Sequence, residues 1–436
     1  MEKKYFQAKN SNRQMLIQPL KGVTPGPDDA QDQQKPRGET EVLTKKKDAE
    51  EPDPLLPKNQ VQSVPELRAY LRAALQLELS TIPPYLCGLY TIKEGSNQQA
   101  SGLIRSVVVE EMLHMILVAN ILNAISSNDD LKKEKAEYNG KLFNVEKIIP
   151  DYPTPLPGNI FPHVPRGNPP FKVSLLKFSQ EAIDEFCTIE LPSDPFAKVK
   201  AKKRGQDFPT YEGIGQFYEA IRYGLFRFKD VLTKKVTLEN GKTYYKFIGD
   251  ENRQVGPEHY YGSGGKLVKV IYFGQALEAI EEIVGQGEGI DGTIHDPDYE
   301  MFGEEIEIAH YFKFQEINYG KSYRPNDTNY DKPTNSIPSG PSINRSWTSV
   351  YNMKSNPKTK DYKDNPHLEA LSNSFNAVYV SLLNNINDSV SGDPGKLIEG
   401  INVMYDLKYK ALELLKVPLN NEEGQCAGPT FEYVKL

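Results

Sequence analysis

The stretch Val107–Leu122, VVVEEMLHMILVANIL, is apolar enough for the middle of a packed core, yet Glu110, Glu111 and His114 interrupt it. A carboxylate taken out of water without a partner costs several kcal/mol. Whatever this chain folds into must bring something to meet those side chains. The apolar period predicts a helix over 98–126, with Val107, Glu111, His114, Val118 and Leu122 on one face. Glu110, a third of a turn away, reads as solvated.

The anomaly recurs. A helix expected over 64–92 starts at the capping box Ser63-Val-Pro-Glu66 and aligns Leu71, Leu75, Glu78 and Ile82, so Glu78 also faces inward. A helix expected over 303–320 aligns Gly303, Glu307, His310, Phe314 and Ile317, with Glu304 and Glu305 on its solvated side. Glu111-x-x-His114 and Glu307-x-x-His310 are therefore one motif on two helices. Spacing of i, i+3 lets a carboxylate and an imidazole reach the same ion. A dinuclear iron or manganese site in a four-helix bundle takes a Glu from each of two helices and a Glu-x-x-His from each of the other two. Two such ions would neutralise the buried carboxylates. A lone Glu-x-x-His is common on solvated helices, and buried Glu–His hydrogen bonds that merely staple a bundle would use the same residue types. Two inward copies beside an inward Glu78 favour metal.

The remaining ligand should come from a helix over 271–288, YFGQALEAIEEIVGQGEG. Its inward row reads Leu277, Ile280 or Glu281, Val284 and Glu288, with Glu278 and Glu282 outward. Glu288 is preferred, Glu281 is second, and Glu219 of YEGIGQFYEAI is third. His259 and His295 fall in loops and read as surface residues. Thr81-Ile-Pro-Pro84 lies inside the first helix, where proline removes backbone bonds; the prolines either distort the helix beside Glu78 or end it.

Around this core the chain is mainly α. Residues 1–62 are rich in Pro, Gly and charge and read as a mobile arm. Residues 63–330 hold the bundle, a proline-dense crossover over 127–210 with a short helix near 178–187, and a hairpin at 235–249 turning at Asn240-Gly241. Residues 331–436 add two helices, near 366–388 and 394–415, packed on the bundle. A net charge of -7 with no basic stripe argues against nucleic acid. No uninterrupted apolar run has the roughly 18 residues of a membrane span. Cys87, Cys187 and Cys426 read as free thiols, so the cytoplasm is the expected compartment.

The segments LQLELSTIPPYLCGLYTI, EEMLHMILVANIL, IVGQGEG, EIAHYFKFQEI and AGPTFEYV together resemble the ferritin-like family that includes the iminophenylpyruvate dimer synthases of bisindole pathways. The resemblance covers about residues 64–436. It implies a ferritin-like four-helix bundle with Glu78, Glu111, His114, Glu307 and His310 at metal positions, and it favours Glu288 over Glu219. The bisindole enzymes are much longer and associated with haem; this chain lacks that length, and nothing in it reads as a haem site. Two iron ions are the expected cofactors, with manganese as the other candidate. The expected activity is oxygen-dependent oxidation of a small, amino-acid-derived molecule, with dioxygen as co-substrate and self-association left open. A non-catalytic or metal-storage bundle is the alternative.

Overall fold

The computed structural model describes residues 54–436, except 134–137, 139, 163–170, 195–196, 239–240, 261–263, 291 and 297–306. The expected arm up to residue 53, the turn residue Asn240, much of the proline-dense loop, and Gly303, Glu304 and Glu305 lie outside the described residues. Part of residues 54–62, assigned above to the arm, is ordered on the core: β1 (Pro54–Leu55) pairs antiparallel with β2 (Val199–Lys200), and Val61 is buried.

The first two bundle helices form where the sequence places them. α1 (Val64–Thr91) opens with Ser63 Oγ accepting from Glu66 N, and α2 (Gln98–Ile125) returns after a short connection that turns at Asn97. α1 continues through Pro83 and Pro84 instead of ending there. Pro84 has no N–H to give the carbonyl of Ser80, four residues back. The Tyr152 hydroxyl donates to that carbonyl at 2.7 Å. An internal hydroxyl thus replaces the missing helix bond and ties the crossover to the turn after Glu78.

α2 is the hub. It is long and apolar enough to cross a membrane by length and composition, which the sequence reading missed by requiring an uninterrupted run. In this fold it is a buried core helix. Its two asparagines anchor loops. Asn120 donates to the carbonyls of Val255 and Val268 and accepts from Val255 N, while Asn123 donates to Val390 O.

Further along, α3 (Gln180–Ile189) lies in the crossover, and α4 (Ile214–Arg227) follows it. β3 (Thr233–Thr237) and β4 (Thr243–Phe247) make the expected hairpin. α5 (Phe273–Glu288) packs on α2 and α4, and α6 (His310–Tyr319) packs on α2 and α3. α6 is shorter than expected. Ala309 caps it in extended backbone, and the Glu307 carbonyl accepts from Asp296 N at 3.3 Å. Glu307 is therefore not on a helix with His310, and its i, i+3 relation to that histidine is lost.

α7 (Pro366–Val390) and α8 (Lys396–Leu415) form a pair laid against α1 and α2. Between the two pairs lies an apolar cavity of about 430 Å³, with walls that include Leu79, Ile82, Met112, Met115, Leu383 and Met404. One apolar core runs from Val61 to Phe431.

Tyr152→Phe keeps the ring packing and removes only the donor to Ser80 O. Leaving a buried carbonyl unmet costs about 1–3 kcal/mol, so the variant should lose about that much unfolding free energy and unfold at a lower denaturant midpoint than the parent. An unchanged unfolding midpoint would mean that the freed carbonyl needs no partner.

Candidate metal centre

The carboxylate of Glu111 sits between two histidines. His114 Nδ1 lies 3.5 Å from Glu78 Oε2 and 3.9 Å from Glu111 Oε1. His310 Nδ1 lies 3.0 Å from the same Glu111 Oε1 and 3.6 Å from Glu190 Oε2. The two rings face each other with centroids 5.4 Å apart and planes inclined by 24°. Two triads result, Glu78–Glu111–His114 and Glu111–Glu190–His310, each with ligand atoms within 4.8 Å of one another. They share Glu111, and none of the five residues is more than 5% exposed.

Each carboxylate has one oxygen held by a hydroxyl. Tyr218 donates to Glu78 Oε1 and Tyr85 to Glu190 Oε1. Thr81 Oγ1 shares its proton between Glu111 Oε2 at 2.9 Å and the Glu78 carbonyl at 2.8 Å. The histidines are held at their far nitrogens. His114 Nε2 is 2.8 Å from Gln286 Oε1, and His310 Nε2 is 2.7 Å from Glu110 Oε2. Gln286 Nε2 donates to Gly264 O, which fixes the amide orientation. Both partners are acceptors, so each Nε2 carries a hydrogen. In a neutral ring each Nδ1 then turns a lone pair toward the carboxylates.

Lone pairs and carboxylates converging in a dry interior repel one another unless cations or protons stand between them. His310 Nδ1 makes no hydrogen bond, close as it is to two carboxylates. Burial, with Glu190 next to it, pushes Glu111 up to about 8. Burial disfavours a charged imidazole, yet Glu78 and Glu111 raise His114, and Glu110, Glu111 and Glu190 raise His310 well above its ordinary value. Without metal the site therefore takes up protons. Hard or borderline divalent cations prefer O and N donors of this kind, so the donor set fits a pair of them.

A third acidic group, Glu110–Asp296–Glu307, already holds its cation. Lys313 Nζ lies 2.7 and 2.8 Å from the two Glu110 oxygens, 2.6 Å from Glu307 Oε1 and 3.9 Å from Asp296 Oδ2. Burial would raise Glu110, but Lys313 and His310 hold it down at about 2. Glu110 is thus a fully buried ion-pair member, not the solvated residue expected from the helix period.

Of the expected ligands, the structure brings together Glu78, Glu111, His114 and His310. Glu307 is spent on Lys313. Glu288 accepts from Gly215 N at 2.8 Å and Ser193 Oγ at 3.3 Å, and burial pushes it to about 7. Glu281 is exposed, and Glu219 pairs with Arg222 at 2.6 Å. The α5 row was misphased by one or two residues. Its buried face is Ala276, Ala279, Ile283 and Gln286, so Gln286 reaches His114, and Glu282, expected outward, is buried and accepts from Lys266 N.

Glu190, at the C-cap of α3, was not singled out from the sequence. A signal existed: Ile183, Phe186 and Glu190 make an inward row at spacings of three and four.

The profile of the family described as Ferritin-like matches residues 71–319, from α1 to the end of α6. The chain belongs to the ferritin-like family. Among solved structures, a ferritin-like protein from Caulobacter vibrioides aligns with a TM-score of 0.50 at 22% identity, covering 86% of this chain and 100% of that one. That likeness is one of fold. No curated protein matches the chain. In this ferritin-like protein the second Glu-x-x-His is split: its histidine stays at the centre, and Glu190 from the crossover stands in the second triad.

The proton uptake has a measurable consequence. Glu111 is raised from 4.5 to about 8 and Glu288 to about 7, and His114 and His310 are raised as well. Each contributes stability that is present below its unfolded value and lost as pH rises through its folded value. Chelator-treated protein should melt lower near pH 9 than near pH 6, and added Mn(II) should flatten that slope. A metal-free melting temperature that holds or climbs over this range would contradict the assignment.

Proposed function

We propose that this ferritin-like protein is a non-haem dimetal oxidase, with iron as the metal, acting on a small amino-acid-derived molecule. The observation that carries the reading is the shared Glu111 carboxylate between two triads with inward nitrogen lone pairs. Glu78, Glu111 and His114 would hold one ion, and Glu111, Glu190 and His310 the other. Bound iron supplies the electrons and coordination positions by which dioxygen is activated.

The protein's own residues do the rest. Tyr218, Tyr85 and Thr81 fix which carboxylate oxygens face inward, and Gln286 and Glu110 fix the histidine tautomers. Phe186 and Phe314, packed with Tyr85, keep water from the Glu190 side. Two features support an organic substrate over stored mineral. The crossover and the C-terminal helices go well beyond a minimal bundle. The motifs that resemble iminophenylpyruvate dimer synthases are also those that carry Glu78, Glu111, His114, Gln286 and His310, which favours an amino-acid-derived imine or its parent acid as substrate.

Elemental analysis of iron-loaded protein should find about two ions per chain, and His114→Ala and His310→Ala should each lose one. Mixing anaerobically loaded protein with oxygen in a stopped-flow instrument should give a rapid optical change that aromatic amino acids or their imines accelerate. Full metal retention in both variants would overturn the ligand set. Iron accumulating far beyond two ions per chain would replace oxidase with storage.

A further inference from the structure

The two triads share a layout and differ in what supports their imidazoles. Glu78 and Glu190 are each held by a tyrosine, through Tyr218 and Tyr85, and Glu111 is common to both. What stands behind the imidazoles is not the same. His310 Nε2 donates to Glu110, a carboxylate with no exposed surface. His114 Nε2 donates to Gln286, a neutral amide anchored on Gly264 O.

We infer that the protein holds its two ions unequally, the Glu190–His310 subsite more tightly than the Glu78–His114 subsite, with Glu110 and Gln286 as the positioning residues that set the difference. This rests on the dimetal reading above and concerns only its internal order.

The physical basis is ligand basicity. A carboxylate accepting the far N–H of an imidazole pulls that proton toward itself and leaves more electron density on the coordinating nitrogen; an amide oxygen does so weakly. Glu110 also adds a negative charge one ring away from the ion, where little water screens it. Lys313 is not devoted to Glu110 alone. Its ammonium is shared between the two Glu110 oxygens and Glu307 Oε1, with Asp296 at 3.9 Å. The lysine's role is to keep Glu110 ionised and aimed at His310 while the carboxylate is out of water. Without it, a buried anion would have only a neutral imidazole to meet it. Gln286 performs the same orienting task for His114 without adding charge, since both of its polar ends are already committed.

The test is a Mn(II) titration of the metal-free full chain, followed by calorimetry and by electron paramagnetic resonance. Two binding steps are expected, separated by roughly 10–100-fold, the range over which outer partners tune metal affinity. His310→Ala should abolish the tighter step and His114→Ala the weaker one. Glu110→Gln should weaken the tighter step toward the weaker. Gln286→Glu, which leaves the Lys313 cluster untouched and so guards against a folding defect in the first variant, should strengthen the weaker step. Two ions bound with equal affinity, or steps that neither Glu110→Gln nor Gln286→Glu moves, would overturn the inference while leaving the dimetal centre standing. Mn(II) binding that ignores both histidine variants would overturn the centre itself.

Discussion

Removing Glu78, Glu111 and Glu190 from water at one point is the constraint on which the rest of this structure depends. Isolated, each carboxylate would cost several kcal/mol, and their mutual repulsion adds to that. The fold answers in layers. Hydroxyls of Tyr218, Tyr85 and Thr81 take one oxygen of each acid, and two imidazoles turn their Nδ1 atoms to the others. What these partners leave over is negative potential and lone pairs, for which a pair of divalent cations is the natural complement.

The backbone is shaped to the same end. Thr81 reaches Glu111 from the turn that precedes Pro83 and Pro84, and the carbonyl that Pro84 leaves bare is met by Tyr152 from the crossover. The crossover also delivers Glu190 at the end of α3. A segment that reads as an insertion in the sequence is therefore part of the centre's wall and one of its ligand sources. The C-terminal pair α7–α8 serves differently, packing on α1 and α2 around the apolar cavity.

The legible part of the sequence was the part governed by helical period. Long helices with strong apolar rows, α1 and α2, gave their ends to within a residue or so and put Glu78, Glu111 and His114 inward. Period failed where the backbone stops being helical or a row is ambiguous. Glu307 lies before the N-cap of α6, so its spacing to His310 meant nothing. On α5 the apolar residues are so dense that the inward row was misphased, which exchanged Gln286 for Glu288. Glu110 looked solvated because its partner Lys313 comes from a distant helix, and no local pattern announces such a pairing. Glu190 closes a ten-residue helix inside a proline-dense stretch, where a short inward row stands out little against the surrounding loop.

The most direct test of the central claim is anomalous diffraction from crystals grown with Mn(II) or Fe(II), recorded at the metal's absorption edge. The account predicts two peaks in each chain, one contacting Glu78 and His114 and one contacting Glu190 and His310, with Glu111 touching both. A single peak beside Glu288 or Glu307, or no peak between the two histidines, would contradict it.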